Sequence, residues 1–276
     1  MQAFHAMRIS SGYEEMILLN MRALECRPDG YWAWYQRGNA LKAVHRYYEA
    51  IASYEKALEC RRDDYRAWYQ LGCVLSEIGN FSEALACYDK ALQLKPNDYW
   101  SWYQRAMTLC ESSRYTEAIT SFEQALAARP DDYWAWYRLG GVWLYNLNHC
   151  ENAIACYETA LKLRPNDFWA HYRLGFALNQ LGRYEQALAT FDKALEIKPN
   201  DYWAWYRRGL ALKALARYHT AIDSCQHAVN INPKREEAWI ALAQLYQLSG
   251  QHAQAVSAWQ QVLALNPNVT DTLSDF

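Results

Sequence analysis

Tyr31-Trp-Ala-Trp-Tyr35 is the stretch of sequence that decides the fold, because it recurs along the chain at a nearly fixed interval. Further copies of this motif, some with one or two substitutions, begin at Tyr65, Tyr99, Tyr133, Phe168 and Tyr202. The interval is 34 residues at every step except the one from Tyr133 to Phe168, which is 35. A period of this size is typical of repeat architectures, in which each copy is one supersecondary unit.

Other residues recur with the same period when the first aromatic residue of the motif is called position 1. Tryptophan recurs at position 4, glycine at 8, alanine at 20, an aromatic residue at 24, a small residue at 27 and proline at 32. Positions 4, 7, 8 and 11 share one stripe of a helix, and positions 20, 24 and 27 share another. Each copy therefore predicts two antiparallel helices, with the position 4 tryptophan buried between them.

Residues at the ends of these helices carry capping and turn signals. An aspartate directly before position 1 is a candidate N-cap in five copies: Asp64, Asp98, Asp132, Asp167 and Asp201. Proline at position 32 ends the second helix before that cap. We expect the extra residue of the longer copy between Tyr145 and Cys150, in the turn that joins its two helices.

The pattern resembles that of the tetratricopeptide repeat (TPR) family, Trp-x2-Leu-Gly-x2-Tyr followed by Ala-x3-Phe and Pro. The resemblance covers nearly the whole chain. It implies an all-α fold, a right-handed α-solenoid of stacked antiparallel helix pairs, with sixteen helices in a single domain over residues 1–276. The expected boundaries are a degraded N-terminal repeat at 1–28, repeats 1 to 7 at 31–64, 65–98, 99–132, 133–167, 168–201, 202–235 and 236–269, and a short tail at 270–276.

Position 2 carries tryptophans that the core of a repeat does not require. This position lies about 200° around the helix from position 4, so its side chain should point away from the core and be partly exposed. In the family, the first helices line the concave surface, where positions 2, 5, 9, 12 and 13 contact ligands. The resemblance thus implies a partner-binding groove with an aromatic ladder formed by Trp32, Trp100, Trp134, Trp169 and Trp203 and by Tyr103, Tyr137, Tyr172 and Tyr206.

The position 2 tryptophans are also compatible with two roles that do not involve a partner. The indole can pack on the next repeat, or it can be a product of recent duplication with no role in binding. A ladder of exposed aromatic residues favours the binding role, because such surface is seldom kept without a partner.

The charge of the predicted groove changes along the chain at position 6, which is glutamine in repeats 1 to 3 and arginine in repeats 4 to 6. Arg138, Arg173 and Arg207 are suited to an acidic or phosphorylated segment of a partner, although a solvated helix face accounts for them equally well. The carboxylate clamp of some family members requires lysine at position 5 and asparagine at position 9. Asn39 meets the second requirement, but Tyr35 occupies the lysine position, which disfavours that co-chaperone function.

Charge and composition exclude several classes of function. The balance of 28 basic and 30 acidic residues gives a net charge of -2, which disfavours nucleic-acid binding. No apolar run is long enough for membrane insertion, and the first residues resemble no targeting signal, so we expect a cytoplasmic protein. The eight cysteines are scattered without a C-x-x-C pair, which indicates reduced thiols.

The sequence contains no evident catalytic or metal-binding constellation and calls for no cofactor. His149-Cys150 is an isolated pair, and His171 stands at position 4, where a packed neutral histidine is expected. The leading hypothesis is therefore a non-enzymatic scaffold or assembly adaptor that binds a peptide or helix of a protein partner. Alternatives are small-molecule or glycan binding by the tryptophan ladder, and self-association as a homo-oligomer.

Overall fold

The computed structural model describes residues 2–267, and it describes side chains from residue 12 onward. This part of the chain forms fifteen α-helices and no strand, which confirms the all-α prediction. The helices are α1 (Gln2–Cys26), α2 (Tyr31–Ala43), α3 (Tyr47–Cys60), α4 (Tyr65–Glu77), α5 (Phe81–Leu94), α6 (Tyr99–Glu111), α7 (Tyr115–Ala128), α8 (Tyr133–Gly141), α9 (Cys150–Leu163), α10 (Phe168–Gln180), α11 (Tyr184–Ile197), α12 (Tyr202–Ala214), α13 (Tyr218–Ile231), α14 (Glu236–Leu248) and α15 (His252–Leu265).

The chain is organised as two compact units, which we call unit 1 (Met1–Ala135) and unit 2 (Trp136–Phe276). Unit 1 contains the antiparallel pairs α2/α3, α4/α5 and α6/α7, and unit 2 contains α10/α11, α12/α13 and α14/α15. Within each unit, a second helix also packs on the first helix of the following repeat, as α3 does on α4 and α11 on α12. Each repeat therefore completes its core on its neighbours. No helix among residues 2–267 has both the length and the apolar character needed to cross a membrane.

The N-terminal region differs from the prediction of sixteen helices. Residues 2–26 form one continuous helix instead of a pair, so the described residues contain fifteen. In the complete repeats a residue with positive φ separates the two helices, for example His45 (φ 60) and Gly79 (φ 79). The corresponding Ser11 is helical. The chain runs straight through this position because a continuous helix keeps all of its internal backbone hydrogen bonds.

Aspartates before position 1 cap the first helices, as the sequence predicted. The Asp64 carboxylate accepts a hydrogen bond from the backbone N–H of Arg66 at 2.9 Å, and Asp167 accepts from Ala170 at 2.8 Å. Asp98, Asp132 and Asp201 accept equivalent bonds. Each cap satisfies a backbone donor that the helix itself leaves free, and so fixes where the first helix begins.

The cores of repeats 1 to 5 are built around the aromatic residue at position 24, and Cys225 takes this place in repeat 6. Tyr54 and Phe191 are fully buried, with 0% of their surface exposed. In both repeats, glycine at position 8 lies against this ring. A Cβ atom added to Gly38 would lie 2.7 Å from a ring carbon of Tyr54, and a Cβ atom added to Gly175 would lie 2.8 Å from a ring carbon of Phe191. At Gly38 and Gly175 a larger residue would therefore displace the position 24 ring, which fills the space beside the glycine, whereas Ala106 stands at position 8 of repeat 3.

The extra residue of the fourth repeat lies inside its first helix. In α2 the buried residues at positions 10 and 11, Ala40 and Leu41, are consecutive. In the fourth repeat the two buried residues are Val142 and Leu144, and Trp143 stands between them in the π-helical segment Val142–Asn146 that continues α8. A π-helical turn closes one residue later than an α-helical turn, so it absorbs the extra residue within the helix.

The prediction that this residue falls between Tyr145 and Cys150 is therefore wrong. The turn itself keeps the geometry of the other repeats, with Asn148 at φ 54 in the place of His45 at φ 60. Because the turn conformation is fixed, the helix before it takes up the insertion. Tyr145 consequently occupies position 12 of its repeat, one place earlier than simple counting suggests.

Candidate functional site

The predicted binding residues lie on the stripe formed by positions 2, 5, 6, 9 and 12 of the first helices, which we call the first-helix face. Four position 2 tryptophans are about half exposed there: Trp32 (50%), Trp100 (48%), Trp134 (48%) and Trp169 (52%). The partial exposure predicted for them is confirmed. Large apolar side chains with this much surface in water are candidate contact points for a partner.

Neighbouring side chains hold each of these indoles in place. The Trp100 ring lies edge-on to Tyr99 at 4.9 Å and to Tyr103 at 6.4 Å between centroids. The Arg129 guanidinium, in the turn before the next repeat, lies 5.5 Å from the Trp100 centroid. This turn thus contributes one cation and leaves half of the indole uncovered, so packing alone does not account for the exposed half.

Trp203 differs from the other position 2 tryptophans, because it is only partly exposed and packs against the core of unit 2. The next repeat begins with glutamates instead of Tyr-Trp, and Glu237 forms an ion pair with Arg235 at 3.6 Å. The Arg235 guanidinium is thereby held 4.7 Å from the Trp203 ring centroid. Trp203 offers a partner less surface than Trp169 does.

Tryptophan at position 4 is half-buried, which corrects the prediction that it is buried between the paired helices. Its ring covers the preceding turn, and its indole N–H donates to a turn carbonyl, as from Trp102 to Pro96 at 2.7 Å and from Trp205 to Pro199 at 2.7 Å. His171 replaces tryptophan and keeps this bond through Nε2, at 2.8 Å from the Pro165 oxygen. Since a carbonyl only accepts, Nε2 carries the proton, and His171 has a structural role.

Tyrosines at position 5 lie beneath the face and contact the position 24 rings. Tyr103 meets Phe122 edge-on at 5.8 Å, and Tyr137 meets Tyr157 in the same way at 5.8 Å. Tyr137 is buried, whereas Tyr103, Tyr172 and Tyr206 are half-buried. These rings therefore connect the face to the core of the repeat.

Two position 6 arginines of unit 2 lie among aromatic rings. The Arg173 guanidinium is 4.9 Å from the Tyr137 centroid and 5.0 Å from that of Tyr145. The Tyr145 ring is stacked on Phe176 at 6.0 Å, and Arg207 lies 4.7 Å from the Phe176 centroid. The result is a row of alternating rings and cations in which each contact contributes about 0.5 to 2 kcal/mol.

No carboxylate pairs with Arg173 or Arg207 among the described residues, as the ion pairs of that part of the chain show. The adjacent Arg208 is different, because it binds Asp192 at 2.7 Å and the Ser224 hydroxyl at 2.6 Å. Burial raises the pKa of Tyr145, so this phenol stays neutral and does not balance the charge of Arg173. Arg138, the third position 6 arginine, is exposed.

Tyr145 and Phe176 were not among the residues predicted to bind a partner. Phe176 stands at position 9, which the resemblance includes in the ligand-contacting set, and an aromatic residue there was a usable signal. Tyr145 appears at position 13 by counting, and only the π-helical insertion moves it to position 12. The single 35-residue step was the available signal, and it could not locate the insertion within the repeat.

The same face in unit 1 is polar at the corresponding positions. Lys42 at position 12 donates to Gln70 at position 6 of the next repeat, with 3.0 Å between Nζ and Oε1. Beside it lies a cavity of about 280 Å³. Its lining residues are Lys42, Tyr69, Cys73, Ser76, Glu77, Tyr88, Gln104, Met107 and Glu111.

The cysteine side chains show no sign of activation for chemistry. All eight are free thiols, and burial raises the pKa of Cys73, of Cys87 and of Cys225. A raised pKa keeps the thiol protonated and weakly nucleophilic. Among the described residues, no group of three or more His, Cys, Asp or Glu side chains is arranged to hold a metal ion.

Comparison with known structures identifies the fold. YrrB, described as a TPR protein with an unusual peptide-binding site, is 28% identical, with a TM-score of 0.62 over 68% of this chain and 96% of YrrB. The C-terminal part of a TPR repeat-containing protein from Cytophaga hutchinsonii is 19% identical, with a TM-score of 0.73 over 85% and 96%. MamA from Desulfovibrio magneticus RS-1 is 24% identical, with a TM-score of 0.59 over 61% and 95%. The latter two similarities concern the fold alone.

Family models give the same assignment from the sequence. A search of curated proteins finds no significant match. Models described as tetratricopeptide repeat match residues 31–64, 65–98, 87–120, 144–202, 190–223 and 236–269. These segments together include most of the chain and agree with the solenoid fold of the structural neighbours. The chain therefore belongs to the tetratricopeptide repeat family.

Proposed function

We propose that this chain is a non-enzymatic interaction scaffold, or assembly adaptor, that binds a peptide or helix of a protein partner on its first-helix face. The observation that best supports the proposal is the half exposure of four position 2 tryptophans whose neighbours hold them in fixed orientations. Pre-positioned aromatic anchors supply large contact area and lose little rotamer entropy on binding. Such residues commonly carry most of the binding energy of an interface.

The proposed contact residues have three different roles. The apolar anchors are Trp32, Trp100, Trp134, Trp169 and, with less free surface, Trp203. The supporting rings are Tyr103, Tyr137, Tyr172 and Tyr206. Arg138, Arg173 and Arg207 contact an acidic segment of the partner, since arginine is the side chain best suited to paired hydrogen bonds with a carboxylate.

The similarity to YrrB supports a peptide as the ligand, because that protein is described as having a peptide-binding site. The free thiols support a reducing compartment, and we place the protein in the cytoplasm. The net charge of -2 supports a protein partner in preference to nucleic acid.

A peptide-selection experiment tests this function. A random 12-residue peptide library displayed on phage is selected on the wild-type chain, and the affinities of the selected peptides are measured. The variant Trp100→Ala/Trp134→Ala/Trp169→Ala should lose about 30-fold or more in affinity, the loss expected for anchor residues. Each single substitution should change the free energy of unfolding by about 1 kcal/mol or less, because the side chain is half in water already.

Tyr48→Ala is the matched control, because Tyr48 is 79% exposed on a second helix, away from the proposed face. It should leave affinity unchanged. Failure to select any peptide, or full affinity in the triple variant, would contradict the proposal. In that event, concentration-dependent sedimentation would test self-association, and titration with oligosaccharides would test glycan binding.

A further inference from the structure

We propose that Arg207, Arg173 and the stacked rings of Tyr145 and Phe176 form a subsite in unit 2 for an aspartate or glutamate of the partner that is flanked by an apolar side chain. This inference rests on the proposed function and specifies its ligand. It also assigns roles to Tyr145 and Phe176, which the repeat pattern left without one. Three observations support it: the two arginines have no carboxylate partner among the described residues, the Arg173 guanidinium lies over two aromatic rings, and Tyr145 is about half exposed.

Unsatisfied polar atoms lie at this place on the face. Arg207 Nε is buried and has no hydrogen-bond partner among the described residues, and the same holds for Asn179 Oδ1 at position 12 of the preceding first helix. A buried N–H without an acceptor costs about 1 to 3 kcal/mol, and more when the group is charged. The Arg207 side chain as a whole is partly exposed, so an acidic group of a ligand could lie against the guanidinium to which this atom belongs.

Among the described residues, no carboxylate pairs with either of the two arginines. Arg173 and Arg207 carry two positive charges among aromatic rings, whereas neighbouring arginines are neutralised, as Arg208 is by Asp192 and Arg217 by Glu185 at 2.6 Å. Aromatic rings attract a guanidinium but do not neutralise it. An anionic group of the partner is therefore the complementary occupant.

The geometry around Arg173 favours a carboxylate. The Arg173 guanidinium lies over the rings of both Tyr137 and Tyr145, and a guanidinium donates hydrogen bonds through N–H groups that point outward in its own plane, at its edges. A planar carboxylate can approach in the plane of these edges and accept two parallel hydrogen bonds. A phosphate dianion would have to give up more hydration to enter the same aromatic surroundings. Phosphorylated peptides are thus the competing outcome of the test.

The Tyr145 ring provides a surface for a neighbouring apolar side chain. Tyr145 is 52% exposed although its ring is stacked on Phe176. The exposed part of the ring lies beside the two cations and provides an apolar shelf for the residue next to the acidic one. Unit 1 has no equivalent among its described residues, because Lys42 and Gln70 occupy the corresponding positions and satisfy each other.

The test repeats the phage selection on four proteins, the wild type and three double variants, and compares the selected sequences. The wild-type chain should enrich peptides with Asp or Glu next to an aromatic or aliphatic residue, and Arg173→Gln/Arg207→Gln should lose that enrichment while still selecting peptides. The control Arg183→Gln/Arg217→Gln removes the same charge from ion-paired turn residues of unit 2 and should select like the wild type. Arg173→Lys/Arg207→Lys keeps the charge without the planar group, should select few acidic peptides, and replaces the glutamine variant if that variant does not fold.

A thermodynamic cycle then separates direct contact from general electrostatics. Replacing Asp by Asn, or Glu by Gln, in a selected peptide should weaken wild-type binding by about 30-fold or more, the loss typical of a buried charge pair. The same change should weaken binding to Arg173→Gln/Arg207→Gln by less than about 3-fold. Phosphoserine in place of the acidic residue should bind more weakly than the carboxylate.

The outcomes distinguish this inference from the function on which it rests. Selection of peptides without acidic enrichment, or equal enrichment by the wild type and the glutamine variant, overturns the subsite and leaves the peptide-binding function intact. Tighter binding of the phosphorylated peptide overturns the carboxylate assignment. Failure of the wild type to select any peptide overturns both proposals.

Discussion

In unit 1, a lysine at position 12 donates a hydrogen bond to a glutamine of the next repeat, whereas in unit 2 a tyrosine at position 12 stacks on a phenylalanine and on an arginine. Beneath these surfaces, repeat 2 of unit 1 and repeat 5 of unit 2 have the same kind of core. Tyr88 in unit 1 and Phe191 in unit 2 are almost completely buried, and each packs against a glycine at position 8. The repeat thus fixes the core and leaves the first-helix face free to differ.

The core comparison predicts the largest effect. Tyr88→Ala and Phe191→Ala should each lower the free energy of unfolding by about 3 to 5 kcal/mol, because a buried ring is lost and a cavity remains. Urea unfolding followed by circular dichroism measures both losses. If the loss in one unit were more than twice that in the other, the two cores would not be equivalent.

The two units can also be compared in how their stability depends on pH, because each contains a buried thiol. Burial raises the pKa of Cys87 in unit 1 and of Cys225 in unit 2 to about 12, from an ordinary value of 9.0. Between these values the unfolded chain releases a proton that the folded chain keeps, so stability is full below about pH 9 and falls as the pH rises towards 12. Each thiol should contribute a slope of up to about 1.4 kcal/mol per pH unit.

Urea unfolding at several pH values between about 8 and 11 measures this slope. Cys87→Ala and Cys225→Ala should each make the decrease in stability less steep, and by similar amounts, because burial raises the pKa of both thiols to about 12. An unchanged slope in both variants would mean that the folded chain releases these protons as readily as the unfolded chain does.

The π-helical insertion gives the smallest expected effect. Deleting Trp143 should make Val142 and Leu144 consecutive, as Ala40 and Leu41 are in α2, and should change the stability by about 1 kcal/mol or less. Thermal melting checks this. The Tyr145 ring should keep its place, so binding of the acidic peptides should persist.

Deleting Lys42 from the uninterrupted helix α2 is the matched control in unit 1. Since α2 ends at Ala43, the deletion would shift the following turn, in which His45 has positive φ, by one residue relative to the helix, and it should be strongly destabilising. If both deletions destabilised the chain equally, Trp143 would not be the inserted residue.

Much of the framework could be predicted from the sequence because it depends on local rules. The 34-residue period, the aspartate caps and the pairing of Gly38 with Tyr54 each follow from residue type and spacing. The depth of burial does not follow in this way. Periodicity gives the direction in which Trp102 points, but not that its indole covers a turn and bonds to the Pro96 carbonyl.

Tyr145 was missed for a similar reason, because its place on the face also depends on how the chain folds locally. A counted register cannot show whether an extra residue widens a helix or lengthens a turn, and here it widens the helix within the π-helical segment Val142–Asn146. The position of Tyr145 on the face depends on that choice. Trp203 was assigned to the ladder on its spacing alone, but its exposure depends on Arg235 and Glu237 of the following repeat.

The hydrogen bond from the position 4 indole to the preceding turn has a consequence for how such an array changes in evolution. Donor and acceptor are six residues apart in Trp34 and Pro28, in Trp102 and Pro96, and in Trp239 and Pro233. A duplicated or excised segment of one full period therefore leaves every indole beside an acceptor, wherever the ends of the segment fall. Recombination in whole periods adds or removes repeats without creating an unpaired polar group, so the array can change its length while each junction stays intact.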